Sequence, residues 1–214
     1  MVHSFVSETA SQVDLRQVLE ELYEGRTLRP YTSGQPILME PQEIWVVCRG
    51  VVQLGTLYAT GDEALLGLAC PSMPFGLPLT SIRPYQASAL TNVDLMRLTV
   101  AEIESSPVLS QSIFRHMGRR LKQTEAILAM VGYRRVEERL RHLLLLLKQE
   151  VGQPDEQGTR LGVRLTHQQL ANAIGTTRVT VTRLLNQLKD EGWLLIDRQR
   201  HIILTPNASL IYTS

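Results

Sequence analysis

Short apolar segments separated by turn residues fill roughly the first hundred residues of the chain, and this pattern predicts β-strands. Glycine, proline, serine and aspartate mark the breaks, as at Thr60-Gly61-Asp62. The predicted strands cover residues 37–39, 44–48, 51–58, 64–69, 86–90 and 95–98. Short strands at this spacing are typical of a small β-sandwich or barrel. An amphipathic helix is predicted before them, over residues 13–23, because its apolar side chains recur on one face.

A long helical pattern follows the strands, over residues 110–131. Its stripe advances by alternating steps of three and four residues, which is a heptad pattern over about three heptads. The stripe consists of Phe114, Met117, Leu121, Thr124, Leu128 and Val131. Because arginine and lysine side chains flank it, we expect a second copy of the chain to cover it in a parallel homodimer. Packing on the chain's own sandwich is the alternative.

The C-terminal part begins with a strongly apolar helix, predicted over residues 139–150. Residues 152–162, rich in glycine, proline and acidic residues, are predicted to form a loop. The chain therefore divides into a β-sandwich domain with its N-terminal helix (residues 1–108), a dimerisation helix (109–134) and a C-terminal domain (135–214). Its 214 residues, 43% of them apolar, are enough for two small cores.

Two short helices around a glycine are predicted within residues 165–185. Thr166 is expected to cap the first helix, with the Gln169 side chain reaching back to the cap. Gly175 marks the turn, and Thr177 is expected to cap the second helix. The inner face of the second helix carries Val181, Leu184, Leu185 and Leu188. This is the layout of a helix-turn-helix DNA reader, and an ordinary helical hairpin with solvated arginines is the alternative.

Residues 192–204 predict two apolar strand segments around a basic turn, which would form a wing beside the second helix and touch phosphate. An arginine near a helix N-terminus can bond both acceptors on the edge of guanine, and a valine or threonine methyl group can touch the methyl group of thymine. The candidate DNA contacts are Thr166, His167, Thr176, Thr177, Arg178, Val179, Thr180, Thr182, Arg183, Arg198 and Arg200.

Charge is distributed unevenly along the chain. Residues 132–214 hold 12 Lys and Arg against 8 Asp and Glu, a net charge of +4, whereas residues 1–131 hold 10 against 13, a net charge of −3. A basic region confined to one end indicates that one domain meets nucleic acid while the other has a different task.

Cysteine and histidine usage excludes several classes of function. Cys48 and Cys70 lie in apolar surroundings without metal-ligand spacing, so we expect buried structural thiols. An iron–sulfur sensor needs about four cysteines, and no histidine between residues 4 and 115 offers itself to a haem or a barrel metal. Hydrolase and phosphate-loop motifs are absent as well. We therefore expect neither a metal site nor an enzyme.

No apolar run approaches the length of a membrane span, which predicts a soluble, cytoplasmic protein. A protein-binding adaptor that uses the winged domain is the alternative to a DNA-binding regulator.

Sandwich, long helix and winged reader in this order resemble the cyclic-AMP receptor protein and FNR superfamily of transcription regulators. The similarity is greatest to its nitrogen-control branch, on the segments Gln123-Thr124-Glu125, Tyr85-Gln86-Ala87 and residues 174–185. It implies an α+β protein with an N-terminal jelly-roll β-sandwich sensor domain, a dimerisation helix and a C-terminal winged helix-turn-helix domain. It also implies double-stranded DNA and RNA polymerase as partners, and a palindromic operator with GTA and TAC half-sites.

The resemblance further implies an effector pocket between the sandwich and the dimerisation helix. Its cyclic-nucleotide form needs a glutamate and an arginine followed by Ser or Thr, whereas this chain has Leu77 and Arg83-Pro84. Leu77 cannot accept a ribose hydroxyl and Pro84 offers no hydroxyl or N–H, so cyclic AMP is not expected. The nitrogen-control branch binds 2-oxoglutarate, which implies an effector role for Gly76, Leu77, Arg83, Arg120 and Glu125. Loss or replacement of this ligand is the alternative, because Pro78 and Pro84 depart from the pattern.

Overall fold

The computed structural model describes residues 26–208. The helix predicted over residues 13–23 lies outside the described residues. The N-terminal domain consists of two antiparallel sheets that share an apolar core. Its strands are β1 (Arg29–Tyr31), β2 (Glu43–Arg49), β3 (Val52–Leu57), β4 (Glu63–Ala69), β5 (Pro74–Phe75), β6 (Gln86–Ala89) and β7 (Val93–Thr99).

One sheet has the strand order β1-β7-β2-β5 and the other the order β4-β3-β6. The core between them is formed by the inward side chains of both, including Trp45, Leu54, Phe75 and Leu95, each at most 1% exposed. Of the sandwich or barrel predicted from the spacing of the short strands, the sandwich is therefore confirmed. Cys70 is buried and Cys48 half-buried, and neither takes part in a disulfide.

One predicted strand is wrong. Residues 37–39 form no strand, although the Ile37 N–H donates to Ala87 O at 2.9 Å and Pro36 forms an isolated bridge with Ser88. Prolines at positions 36 and 41 limit the backbone donors of this segment, and Leu38 is 84% exposed. The short strands β1 and β5 carry too few residues for a visible alternation and were not predicted.

Two helices follow the sandwich, α1 (Val100–Ser105) and the long α2 (Pro107–Val131). Helix α2 begins at Ser106, whose side chain accepts the Leu109 N–H at 3.3 Å, and Pro107 occupies its first turn. The predicted long helix is thus present. Its sandwich-facing side buries Gln123, Ile127 and Met130.

The C-terminal domain holds α3 (Val136–Val151), α4 (His167–Ile174) and α5 (Arg178–Asp190). Beside them lies a four-stranded antiparallel sheet of β8 (Gly152–Asp155), β9 (Gly158–Leu161), β10 (Leu194–Ile196) and β11 (Ile202–Leu204), in the order β10-β11-β9-β8. One continuous apolar core runs from the sandwich through α2 and α3 into this domain.

The loop predicted over residues 152–162 is wrong, because most of this segment forms the hairpin β8–β9. Strand β9 pairs with β11, more than forty residues later in the chain, and this pairing cannot be read from local composition. Pro154 is tolerated because β8 is an edge strand. Within residues 26–208, none of the helices has the length and apolarity that crossing a membrane requires.

Candidate nucleic-acid interface

Side-chain caps define both helices of the predicted reader. The Thr166 hydroxyl accepts the Gln169 N–H at 3.1 Å, and Gln169 Oε1 accepts the Thr166 N–H at 2.8 Å, which completes a capping box. Gly175 ends α4 in the left-handed region, at a φ of 64°. The Thr177 hydroxyl then accepts the Thr180 N–H at 3.2 Å and begins α5. These caps confirm the helix-turn-helix predicted from the sequence.

The two faces of α5 differ sharply in exposure. The predicted inner residues Val181, Leu184, Leu185 and Leu188 are all buried. On the opposite face Arg178 and Arg183 are exposed, and Val179 is 78% exposed. Within residues 26–208 no ion pair engages either arginine. The helix therefore presents two guanidinium groups and an apolar methyl surface to solvent.

Threonine hydroxyls around α5 bond within the protein. His167 Nδ1 lies 2.7 Å from Thr182 Oγ1, and the Thr182 hydroxyl donates to Arg178 O at 2.9 Å. Thr180 Oγ1 lies 2.9 Å from Thr177 Oγ1. These contacts tie the start of α4 to the outward face of α5. Thr176, also predicted as a contact, is half-buried in the turn before α5.

The predicted wing is the hairpin β10–β11, and Arg198 and Arg200 are exposed at its turn. Asp197 lies in the same turn and binds Arg160 Nε through Oδ2 at 2.8 Å. Its Oδ1 accepts the His201 N–H at 2.8 Å. The Arg160 guanidinium, followed by the His201 contacts, lowers the pKa of the Asp197 carboxyl to about 2.

Sequence reasoning missed Arg160, Asp197 and His201. Arg160 lies in the segment predicted as a loop, and only the pairing of β9 with β11 brings it to the turn of the wing. The aspartate at the start of a polar hairpin turn was a signal available in the sequence.

The stripe predicted for dimerisation lies mostly in the open. Phe114 is 78% exposed, Leu121 60%, Leu128 73% and Val131 54%. Met117 is half-buried, and Thr124 is exposed with its hydroxyl donating to Arg120 O at 3.0 Å. Single exposed apolar residues are ordinary, but a row of them along one helix face indicates an interaction surface.

A cavity of about 460 Å³ lies on the sandwich, against β3, β4 and β6. Its wall includes Leu77, Tyr85, Thr56 and the carboxylate-bearing Glu63. Burial raises the pKa of Tyr85, while the nearby positive charge of Arg120 opposes that rise. Arg120 Nη1 is buried without a hydrogen-bond partner among the described residues. An unpartnered buried guanidinium nitrogen is a donor available to an anion.

The other predicted effector residues lie apart from this cavity wall. The exposed Arg83 donates from Nη1 to Thr80 O at 3.1 Å and to Ile82 O at 2.8 Å. Glu125 is exposed on α2. Gly76 has a φ of 151°, and a Cβ there would lie 2.6 Å from Glu43 O. Of the five predicted residues, Leu77 lines the cavity and Arg120 approaches it through Tyr85.

Comparison with known proteins agrees with this architecture. The model of the Crp-like helix-turn-helix domain matches residues 138–210. A global nitrogen regulator from Nostoc sp. is 32% identical over 198 residues, covering 88% of this chain and 86% of the relative. The regulatory protein CysR from Synechococcus elongatus is 35% identical over 152 residues, covering 70% of each chain. A solved CRP/FNR family regulator from Thermus thermophilus superposes with a TM-score of 0.70 at 25% identity, over 85% of this chain and 95% of that one.

Proposed function

The chain belongs to the CRP/FNR family of DNA-binding transcription regulators, close to its nitrogen-control branch, and we propose that it acts as a homodimer on a palindromic operator. It is a sequence-specific DNA-binding regulator and not an enzyme. The observation that carries the proposal is the outward face of α5, where Arg178, Val179 and Arg183 stand exposed on a helix capped at its N-terminus.

We assign base reading to the first turn of α5. Arg178 bonds guanine through its forked donors and Val179 contacts a thymine methyl group, which corresponds to GTA and TAC half-sites. Arg183 lies further along the same face, within reach of base or phosphate. Arg198 and Arg200 bind phosphate from the wing. The further contact residues surround the helix N-termini, where free N–H groups favour phosphate: Thr166, His167, Thr176, Thr177, Thr180 and Thr182.

Dimerisation through the exposed stripe of α2 would place two α5 helices on one face of the DNA. The same stripe in a partner is the complementary surface, because the row of Phe114, Leu121 and Leu128 repeats with the coiled-coil spacing. RNA polymerase is the proposed macromolecular partner once the dimer is on its operator.

Selection from random duplex DNA, followed by binding measurements on the selected site, tests this reading. We expect a palindrome, and Arg178→Ala should cost about 1–3 kcal/mol per half-site and relax the preference at guanine. The matched control is Arg200→Ala, which should weaken all sequences equally and flatten the salt dependence. Selected sites without symmetry, or an Arg178→Ala variant that selects the same sequence, would contradict the assignment.

For the effector, we propose a small dicarboxylate such as 2-oxoglutarate, with Arg120 as its main cationic anchor. The unpartnered buried Arg120 Nη1 supports this assignment. Arg83 would contribute by leaving its contacts with Thr80 O and Ile82 O, which are backbone carbonyls of its own loop.

Calorimetric titration of the intact protein with 2-oxoglutarate and with cyclic AMP tests the effector. We expect binding of 2-oxoglutarate alone, weakened about ten- to a hundredfold by Arg120→Ala, because a charge-assisted pair contributes about 1.5–3 kcal/mol. Arg115→Ala, an exposed position on the same helix, is the control and should bind as the parent does.

An effector-independent regulator is the second candidate. It is favoured by the outward position of Arg83 and by the Glu63 carboxylate in the cavity wall, which would repel a dianion. Absence of binding heat, together with DNA affinity that is unchanged across a wide range of 2-oxoglutarate, would select this candidate.

A further inference from the structure

The turn of the wing is held by a strand that lies far from it in the sequence. Arg160, on β9, reaches under the turn between β10 and β11. Its Nε donates to Asp197 Oδ2 at 2.8 Å and its Nη2 donates to Gln199 Oε1 at 3.0 Å. One guanidinium therefore contacts two residues of the turn that carries Arg198 and Arg200.

Asp197 closes the turn from the inside. Its Oδ1 accepts the His201 N–H at 2.8 Å, and its own N–H donates to His201 O at 3.0 Å. The Arg200 N–H donates to Asp197 O at 3.0 Å. The carboxylate of Asp197 thus joins the backbone of the turn to the side chain of Arg160.

His201 completes the cluster as an acceptor. Its Nδ1 lies 2.6 Å from Arg160 Nη2. Because an arginine side chain has only donors, Nδ1 is the acceptor in this contact, and the same Nδ1 lies 3.4 Å from Asp197 Oδ2. The side chains of Arg160, Asp197 and His201 are only 24%, 20% and 15% exposed, whereas Arg198 and Arg200 point into solvent.

The turn needs such support because its backbone is strained. Arg200 has a φ of 65°, in the left-handed region that a side chain other than glycine adopts at a cost. A strained conformation persists only where neighbouring contacts hold it. Here the contacts are those of Asp197 with Arg160, His201 and Arg200.

We propose that Arg160, Asp197 and His201 form a clamp that positions Arg198 and Arg200 for DNA phosphate. Arg160 is a positioning residue, since its guanidinium is committed to the turn. The inference rests on the proposed phosphate contact of the wing. It extends the DNA-reading apparatus to β9, which lies before the helix-turn-helix in the sequence.

Removal of the Asp197 carboxylate distinguishes two explanations. The carboxylate either positions the arginines of the wing or affects DNA binding only through its charge. A carboxylate near the phosphate backbone opposes binding, so its loss should strengthen DNA binding if the wing acts through net charge alone. If the carboxylate holds the clamp, its loss should weaken binding, because Arg198 and Arg200 no longer stand in one arrangement. The two explanations predict opposite signs.

The experiment measures operator affinity by fluorescence anisotropy over a salt series, using the full chain and the variants Asp197→Ala, Asp197→Asn, Arg160→Gln and Arg200→Ala. We expect Asp197→Ala and Arg160→Gln to weaken binding about tenfold and to lower the salt slope by about one unit per wing. Arg164→Gln is the control for loss of one positive charge at an exposed position near β9.

Asp197→Asn keeps the size and one acceptor oxygen, so it should fold as the parent does and weaken binding by less. Amide exchange at residues 198–200 should be faster in both Asp197 variants. Adding Asp197→Ala to the double variant Arg198→Ala/Arg200→Ala should weaken binding no further, because the clamp acts only through these two arginines.

Tighter DNA binding by the Asp197 variants, or full additivity of Asp197→Ala with the double variant Arg198→Ala/Arg200→Ala, would overturn the clamp while leaving the wing contact in place. If the double variant Arg198→Ala/Arg200→Ala keeps the DNA affinity and the salt slope of the parent, the proposed phosphate contact is overturned, and the clamp with it.

Discussion

Gln123 is the residue that joins the long helix to the sandwich. Its Oε1 accepts the Leu68 N–H at 2.7 Å, and both residues are buried. A Cβ on Gly67 would lie 2.7 Å from the same oxygen, so only glycine admits this contact without displacement. A buried backbone donor of β4 is thus satisfied by a side chain from α2.

Gln123→Leu should lower the free energy of unfolding by about 1–3 kcal/mol, because it leaves the Leu68 N–H buried without an acceptor. Urea unfolding measures the effect. Gln111→Leu, at an exposed position of the same helix, is the control and should change stability by less than about 0.5 kcal/mol. Equal effects for the two variants would contradict the assigned contact.

His116, also on α2, makes stability depend on pH. Burial, and then the charges of Arg119 and Arg115, lower its pKa below the ordinary value of 6.5. As the pH falls through 6.5, His116 takes up a proton more readily in the unfolded chain than in the folded chain. The contribution of His116 to the free energy of unfolding is therefore fully present above pH 6.5 and is lost as the pH falls.

His116→Leu should therefore reduce the loss of stability between about pH 7.5 and pH 5.5. Part of the loss of stability should remain in this variant, because burial also lowers the pKa of His142. Urea unfolding at a fixed protein concentration, repeated across this pH range, measures the free energy of unfolding of the variant and of the parent at each pH. Parallel curves for the variant and the parent would show that His116 does not titrate as inferred.

At the scale of elements, α2 has two apolar faces, one buried and one exposed. One face is covered by the sandwich, and the opposite face carries the exposed row that begins at Phe114. An apolar stripe gains about 25 cal/mol for each Å² removed from water, so a second α2 is a favourable partner. In the proposed dimer this helix would therefore form both part of one chain's core and the interface between two chains.

Leu121→Glu should convert the protein to monomers, because it places like charges opposite each other at the centre of the seam. Light scattering measures the mass of the assembly. Ala126→Glu adds the same charge at an exposed position outside the stripe and should leave the dimer intact. A Leu121→Glu variant that remains dimeric would move the interface elsewhere.

At the scale of the whole molecule, the helix-turn-helix contacts the β4-β3-β6 sheet of the sandwich. Gln169 Nε2 donates to Gln53 Oε1 at 3.1 Å, and Asn172 Nδ2 donates to Glu63 Oε2 at 3.3 Å. Gln53 and Glu63 also line the cavity on the sandwich. Two residues of the cavity wall therefore contact α4, and these hydrogen bonds favour the orientation of the helix-turn-helix seen here relative to the sandwich.

Two readers fixed in one dimer should require half-sites about 10 base pairs apart, centre to centre, because their helices must meet the same face of the duplex. Insertion of about 5 base pairs between the half-sites turns one of them to the opposite face and should reduce affinity to the level of a single half-site. Mobility-shift titrations on both duplexes measure this. Equal affinity for both spacings would show that the readers bind independently.

Local signals in the sequence determined most of the elements, including the helix proposed to read DNA. Thr166, Gln169, Gly175 and Thr177 cap and separate two helices by interactions within a few residues, so their pattern is legible without the fold. The period of the stripe in residues 110–131 likewise reports a helix by itself. Because a helix has a fixed period, the inward-facing residues of α5 determine which residues face outward.

Contacts between distant segments were decided only by the tertiary structure. Residues 152–162 carry the composition of a loop, yet pairing with β11 makes them a hairpin and brings Arg160 beneath the wing. The side chain of Arg83 donates to a carbonyl of its own loop, whereas Arg120 lies close enough to Tyr85 to influence its pKa. No local sequence pattern indicates which of the two arginines lies near the cavity. Such contacts depend on which strands and helices become neighbours, and that is a property of the packed chain.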